Sequence, residues 1–291
     1  MRTLLIALAA VVSMTASRAG LQQLDAAGAA QERPAAGQPD AAQIVAAAAR
    51  WIPRFNQNLS GLLFRERYRQ QLALAAGIAG PRERIIEANV FLLKLPPPRD
   101  FVLFRDVYKI DHRAVGDHTE RLEKLLAAGA SDDVLQQARR LTDASARHNV
   151  GRYTRNVNIP TMALEYLAPE MIGRLRTRVA GTETVARLPA VIVEFEETAR
   201  PTLVRGVGDV PAKGRYWIHA ESGAVIRAEL ELTGQRTTGR MRVELELHPT
   251  LGVWVPKEMT EVWRSPAERI NGFAQYDGYK RLAVSTKEVV K

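Results

Sequence analysis

The sequence contains no cysteine. No disulfide can cross-link the fold, no thiolate can serve as nucleophile or metal ligand, and no lipid can be attached through sulfur. Phosphate loops of the form Gly-x-x-x-x-Gly-Lys-Ser/Thr are missing, as are Gly-x-Ser-x-Gly elbows and His-Glu-x-x-His helices. These absences remove the usual signatures of phosphate-loop enzymes, serine hydrolases and zincin proteases. No cofactor is expected. A long apolar run is lacking at the start as well. Leu4 to Val12 has nine residues, against the ~20 that a spanning helix needs.

What is there reads as a secretory signal. Arg2 supplies the positive n-region, Leu4 to Val12 the apolar core, and Ser17-Arg18-Ala19 the small residues that a signal peptidase inspects. Cleavage after Ala19 is expected, leaving roughly 270 residues, enough to bury a core without metal or disulfides. The expected product is soluble and exported to the periplasm. Net charge is +9, and removing Arg2 and Arg18, the charged residues of the signal, leaves +7. That excess favours anionic partners, a phospholipid surface or an envelope protein. Nucleic acid is not expected, because the protein is exported and its cations form no single basic run.

Residues 20–39 are rich in Ala, Gly, Gln and Pro, offer little apolar surface, and read as a disordered linker. Residues 40–291 read as one β-rich domain with a helical insertion at about 117–167. Asp40 is placed to cap a helix running to about Asn58, with Ile44, Ala47, Ala48, Trp51 and Phe55 on one face. From Leu59 the period falls towards two, and Leu62, Phe64, Glu66 and Tyr68 alternate with Leu63, Arg65, Arg67 and Arg69. Strands are expected at Arg84 to Leu95 and Phe101 to Ile110, separated by the turn that Pro96-Pro97-Pro98 forces. Helices follow from Asp117 to Gly129, from Ser131 to His148, and briefly between Pro160 and Pro169.

Beyond Met171 the odd-even rhythm is strict. Val191, Val193 and Phe195 alternate with Ile192, Glu194 and Glu196, and Tyr216 and Ile218 with Arg215 and Trp217. Ile226, Ala228 and Leu230 alternate with Arg227, Glu229 and Glu231, and Met241, Val243 and Leu245 with Arg242, Glu244 and Glu246. One dry face and one wet face is the antiparallel habit. Later strands are expected at Val253 to Trp263, Asn271 to Tyr276 and Tyr279 to Thr286, making about ten. The fold class is α+β, a strongly curved antiparallel sheet covered by helices.

Three groups of residues are candidates for function. His112 and His118, near Asp111 and Asp117, are spaced for a loop metal site, although solvated polar residues around a turn account for them more simply. His148 ends an apolar helical stripe, where packing or a charge favoured by the helix C-terminus would explain it. The arginine ladders Arg65/Arg67/Arg69, Arg174/Arg176/Arg178 and Arg240/Arg242 form either a basic docking band or cross-strand pairs with Glu194, Glu196, Glu229, Glu231, Glu244 and Glu246. Pairing is preferred, because the glutamates recur on comparable strands. The third group is the apolar face: Val191, Val193, Phe195, Tyr216, Ile218, Ile226, Ala228, Leu230, Met241, Val243 and Leu245. Periodicity alone does not separate a filled core from an open groove lined by these side chains.

The segment Gly214-Arg215-Tyr216-Trp217-Ile218-His219-Ala220-Glu221-Ser222-Gly223 resembles a signature of bacterial periplasmic lipoprotein-carrier-like proteins, in which an aromatic strand enters a tight turn. Leu251-Gly252-Val253-Trp254-Val255-Pro256, followed by Lys257-Glu258-Met259, resembles a later strand of the same proteins. Their superfamily also includes the sensor domain of the periplasmic sigma-factor regulator. The resemblance implies an unclosed β-barrel with a helical lid that binds acyl chains or hydrophobic protein tails. His219 stands where Asp is common, and the helical stretch Asp117 to Leu167 is longer than a simple carrier needs. The expected function is binding of a lipid or other hydrophobic ligand, without catalysis. A protein-interaction or envelope-sensing module is the alternative. An envelope hydrolase comes third, requiring a site that the linear sequence hides.

Overall fold

The structure is a computed structural model, and it describes residues 40–75, 82–94, 101–115, 132–152, 155 and 157–281. The expected signal peptide, linker, triple-proline turn and the helix from Asp117 to Gly129 lie outside the described residues.

The first element is α1 (Ala41–Leu59), whose Asp40 side chain accepts from the Ala42 N–H at 3.0 Å and so satisfies one open donor of the first turn. Three long strands follow, β1 (Leu62–Leu74), β2 (Arg82–Lys94) and β3 (Phe101–Ile110), then the short β4 (Arg113–Ala114). Helix α2 (Asp132–Ala146) and two 3-10 turns, Met162–Leu167 and Ile172–Arg174, lead into the second half. There the strands are β5 (Leu175–Val185), β6 (Leu188–Glu197), the small hairpin β7 (Arg205–Gly206) and β8 (Gly208–Asp209), and β9 (Ala212–Ile218). The chain ends its described part in β10 (Val225–Thr233), β11 (Thr238–Leu247), β12 (Trp254–Arg264) and β13 (Glu268–Arg281).

Eleven of these strands form one antiparallel sheet in the order β4-β3-β2-β1-β13-β12-β11-β10-β9-β6-β5. The sheet is not closed, since β4 and β5 end it on opposite sides. It is nevertheless strongly curled. Helix α1 touches β2 near one end and β5 and β6 at the other. In a flat sheet β2 and β5 would lie about 38 Å apart at strand spacing, whereas the 19 residues of α1 make a helix of about 28 Å. Only a curled sheet brings both to one helix. Its hollow side holds the main core, which draws side chains from α1, β1, β2, β3, β6 and β9 to β13.

Several boundaries differ from the sequence reading. Asn271 to Tyr276 and Tyr279 belong to one strand, β13, because the left-handed Gly278 (φ 63°) and a register shift opposite Leu63/Arg65 absorb the apparent break at Asp277-Gly278. The short helix expected between Pro160 and Pro169 is present as a 3-10 turn, Met162–Leu167. Helix α2 stops at Ala146, leaving His148 in the following turn. Burial and the nearby Arg84 lower the pKa of His148, so its charged form is disfavoured there.

Candidate ligand-binding face

Ten of the eleven residues expected to form the apolar face, Val191, Val193, Phe195, Tyr216, Ile218, Ala228, Leu230, Met241, Val243 and Leu245, meet in the main core. Ile226 does not. A bulge between Val225 and Arg227 shifts the alternation by one residue, so Ile226 packs on the opposite side of the sheet with Val185, Ala190 and Trp217. This small outer cluster is capped by polar groups. The Trp217 indole N–H donates to Glu183 at 2.6 Å, and the Arg227 guanidinium lies 5.0 Å from the ring centre.

The hollow side is filled where it is described. Ile44, Val45, Ala48, Trp51, Ile52, Phe55 and Leu59 of α1 are all buried against it. The Tyr216 ring stacks on Phe195 at 4.6 Å and its hydroxyl donates to the Ala163 carbonyl at 2.8 Å. This is the bond that ties the Met162–Leu167 turn to the sheet. Beneath that turn a void of about 10 Å³ is lined by Pro160, Met162, Met241, Val243 and Met259, room for about one water. Three methionines at one seam give it side chains that repack easily. Among the described residues no side-chain hydrogen bond or ion pair ties α1 to the sheet. Among those residues its attachment is apolar contact.

The other half of the hollow side is charged, which the sequence reading missed. Glu66 on β1 pairs with Arg105 on β3, Nε to carboxylate 2.5 Å, with both side chains almost completely buried. Arg105 also donates to the Asn158 carbonyl at 2.8 Å and lies over the Tyr68 ring. The Tyr68 hydroxyl donates to Glu261 on β12, and Arg155 stands 3.8 Å from the same carboxylate. Arg155 donates to Gln70 at 2.7 Å and to the Val150 carbonyl at 2.8 Å, while Gln70 donates to Asn149 at 3.2 Å. This web fastens Asn149, Val150, Arg155 and Asn158 onto β1, β3 and β12. Burial and then Glu261 raise the Tyr68 pKa, so its hydroxyl remains a donor. Burial works to lower the Arg105 pKa, but Glu66 reverses this and the net shift is upward. One signal for the web was present in the sequence: Glu66 stands in the same alternating row as Leu62, Phe64 and Tyr68.

The remaining candidates fall elsewhere. Asp111 and His112 occupy the β3–β4 turn with left-handed backbones, and Asp111 accepts from the Ile85 N–H at 2.8 Å and stands 3.7 Å from Arg84. Asp117 and His118 lie outside the described residues. Among the described residues no group of His, Asp or Glu side chains is arranged to hold a metal ion. Two of the three arginine ladders pair with the expected glutamates: Arg176 with Glu196, Arg178 with Glu194 (which Arg215 shares), Arg240 with Glu231, and Arg242 with Glu229. In the third, Arg65 pairs instead with Asp277 on β13 and Arg69 stands 3.7 Å from Glu83 on β2. Arg176, Arg178, Arg215 and Arg240 line a groove of about 770 Å³ on the polar side of β5, β6, β9, β10 and β11.

No protein-family model and no curated relative matches the chain. Among solved structures, the chain is similar to a domain named for outer membrane lipoprotein sorting, from Vibrio parahaemolyticus. The TM-score is 0.37 and the identity 9%, covering 80% of this chain and 92% of that one. It is also similar to a DUF1329 family protein from Desulfovibrio piger (TM-score 0.33, 11% identity, 82% and 93% covered). A LolA superfamily protein from Nitrosomonas europaea matches with TM-score 0.30 and 11% identity, covering 84% and 97%.

Proposed function

We propose that this protein is an exported binding protein for a lipid or another hydrophobic ligand, acting as a carrier rather than an enzyme. Residues 1–19 would be removed on export, 20–39 would be a linker, and 40–291 would form the working unit. The observation that carries this reading is the attachment of α1. Among the described residues it covers a hollow apolar surface by apolar contact, so an apolar chain sliding beneath it exchanges like contacts for like. Each buried methylene contributes about 0.8 kcal/mol, which makes a long acyl chain a strong competitor for that surface. The charged half, fastened by its ionic web, would stay in place while α1 and the Met162–Leu167 turn move.

The test is to purify the protein from the periplasm, extract it with organic solvent and analyse the extract by mass spectrometry. A stoichiometric acyl lipid, with saturable uptake of a fluorescent fatty acid by the stripped protein, is expected. Protein that carries no lipid and takes up no fluorescent fatty acid would reject the carrier reading.

A further inference from the structure

The polar side of the sheet is striped. Arg176 and Arg178 on β5 face Glu194 and Glu196 on β6, and these face Arg215 and Lys213 on β9. Rows of cations and carboxylates therefore alternate strand by strand. Glu194 is shared between two cation rows, with Arg178 on one flank and Arg215 on the other. The row on β5 has a carboxylate neighbour on one flank only, because β5 is an edge strand. Its arginine side chains are 72% and 74% exposed. Among the described residues, no backbone hydrogen bond links Leu175–Val185 to any strand other than β6.

We propose that the β5 edge is a docking site for an extended acidic segment of another protein, which adds as a further antiparallel strand. Carboxylates on alternate residues of that segment would stand opposite Arg176 and Arg178 and continue the stripe. Strand addition draws its affinity from main-chain hydrogen bonds and its selectivity from the side chains at every second position. Opposite charges directly across a strand pair are favourable and like charges are not. A second copy of this chain is the wrong partner for that reason, since β5 against β5 sets arginine opposite arginine. The bulge between Val179 and Gly181 breaks the regular edge, so the docking stretch is Leu175–Val179 and two carboxylates are the number it reads. Edge charges also discourage uncharged strands from pairing, and the same two arginines therefore select against apolar segments while admitting acidic ones.

Fluorescence anisotropy on the full-length protein tests this with two labelled seven-residue peptides of identical composition. One carries glutamate at alternate positions between valines, the other carries its glutamates consecutively. The alternating peptide is expected to bind about tenfold more tightly, the scale of two cross-strand charge pairs. N-methylating one alternate set of its amides should abolish binding while methylating the other set should not, because only one set faces β5. Arg176→Glu with Arg178→Glu, checked for folding by circular dichroism, should lose the acidic peptide and gain the corresponding lysine peptide. Equal binding of the two isomers, or indifference to both methylation patterns, would reduce the effect to general attraction by a basic surface and overturn the proposal. Sedimentation that shows dimers formed through β5 would overturn it too.

Discussion

Arg105 and Glu66 face each other inside the curled sheet at 2.5 Å, one from β3 and one from β1, and Tyr68 lies beside both of them. A pair this deeply buried contributes little net stability, because desolvating two ions offsets most of their attraction, yet removing one partner strands the other. Glu66→Ala or Arg105→Ala is therefore expected to cost about 3–5 kcal/mol. The double replacement Glu66→Leu with Arg105→Met should recover most of that loss. Urea denaturation of the three variants checks it, and a double variant no better than the singles would contradict the account.

The apolar half makes the opposite demand. Val243 is 3% exposed beneath the Met162–Leu167 turn, and Val243→Asp puts an unpaired charge where no partner stands. A loss of at least about 3 kcal/mol is expected, seen as failure to fold or as a collapsed Tm in circular dichroism. A variant with an unchanged melting curve would show that this face is open to water.

Gly214 permits the close approach of β9 to its neighbours. A Cβ there would lie 1.9 Å from the Glu229 carbonyl oxygen and 2.6 Å from the Phe195 ring, and the backbone atom cannot yield without moving β10. Gly214→Ala should destabilise by about 1–3 kcal/mol, the range for overpacking, despite the better strand propensity of alanine. Thermal unfolding against wild type decides it.

Glu165, half-buried in the Met162–Leu167 turn, has its pKa pushed up to about 7 by burial and by Glu170. An acid whose pKa is higher folded than unfolded stabilises the fold below its unfolded pKa, and that contribution disappears as pH rises through 7. Wild type should therefore lose stability between about pH 4.5 and pH 7, while Glu165→Gln should lose less over that interval. Melting temperatures of both proteins at pH 5 and pH 8 test this, and parallel curves would exclude Glu165 as the cause.

The alternation after Met171 was legible because each strand there has one flank on the core and one in water. The arginine–glutamate pairing could be read from the same rows for the same reason. Ile226 was misplaced because a bulge leaves no mark in a sequence that is apolar at Val225 and at Ile226 alike. The charged half was missed because Glu66, Arg105 and Glu261 belong to strands far apart in the chain, and each alone looks like a surface residue. Only the pairings of β2 with β3 and β1, and of β13 with β1 and β12, set β1, β3 and β12 around one interior. The roof was half legible: the apolar stripe of α1 was evident, but not that, among the described residues, its hold on the sheet would be apolar.

The position of β13 has a consequence for how the chain reaches this shape. It lies between β1 and β12, so the first long strand and the last are neighbours in the middle of the sheet, with Leu62 opposite Arg281. Until β13 emerges from synthesis, the described sheet exists only as two disconnected pieces, each with a bare flank. Such a chain gains its cooperativity late and all at once, after a wide loop has closed.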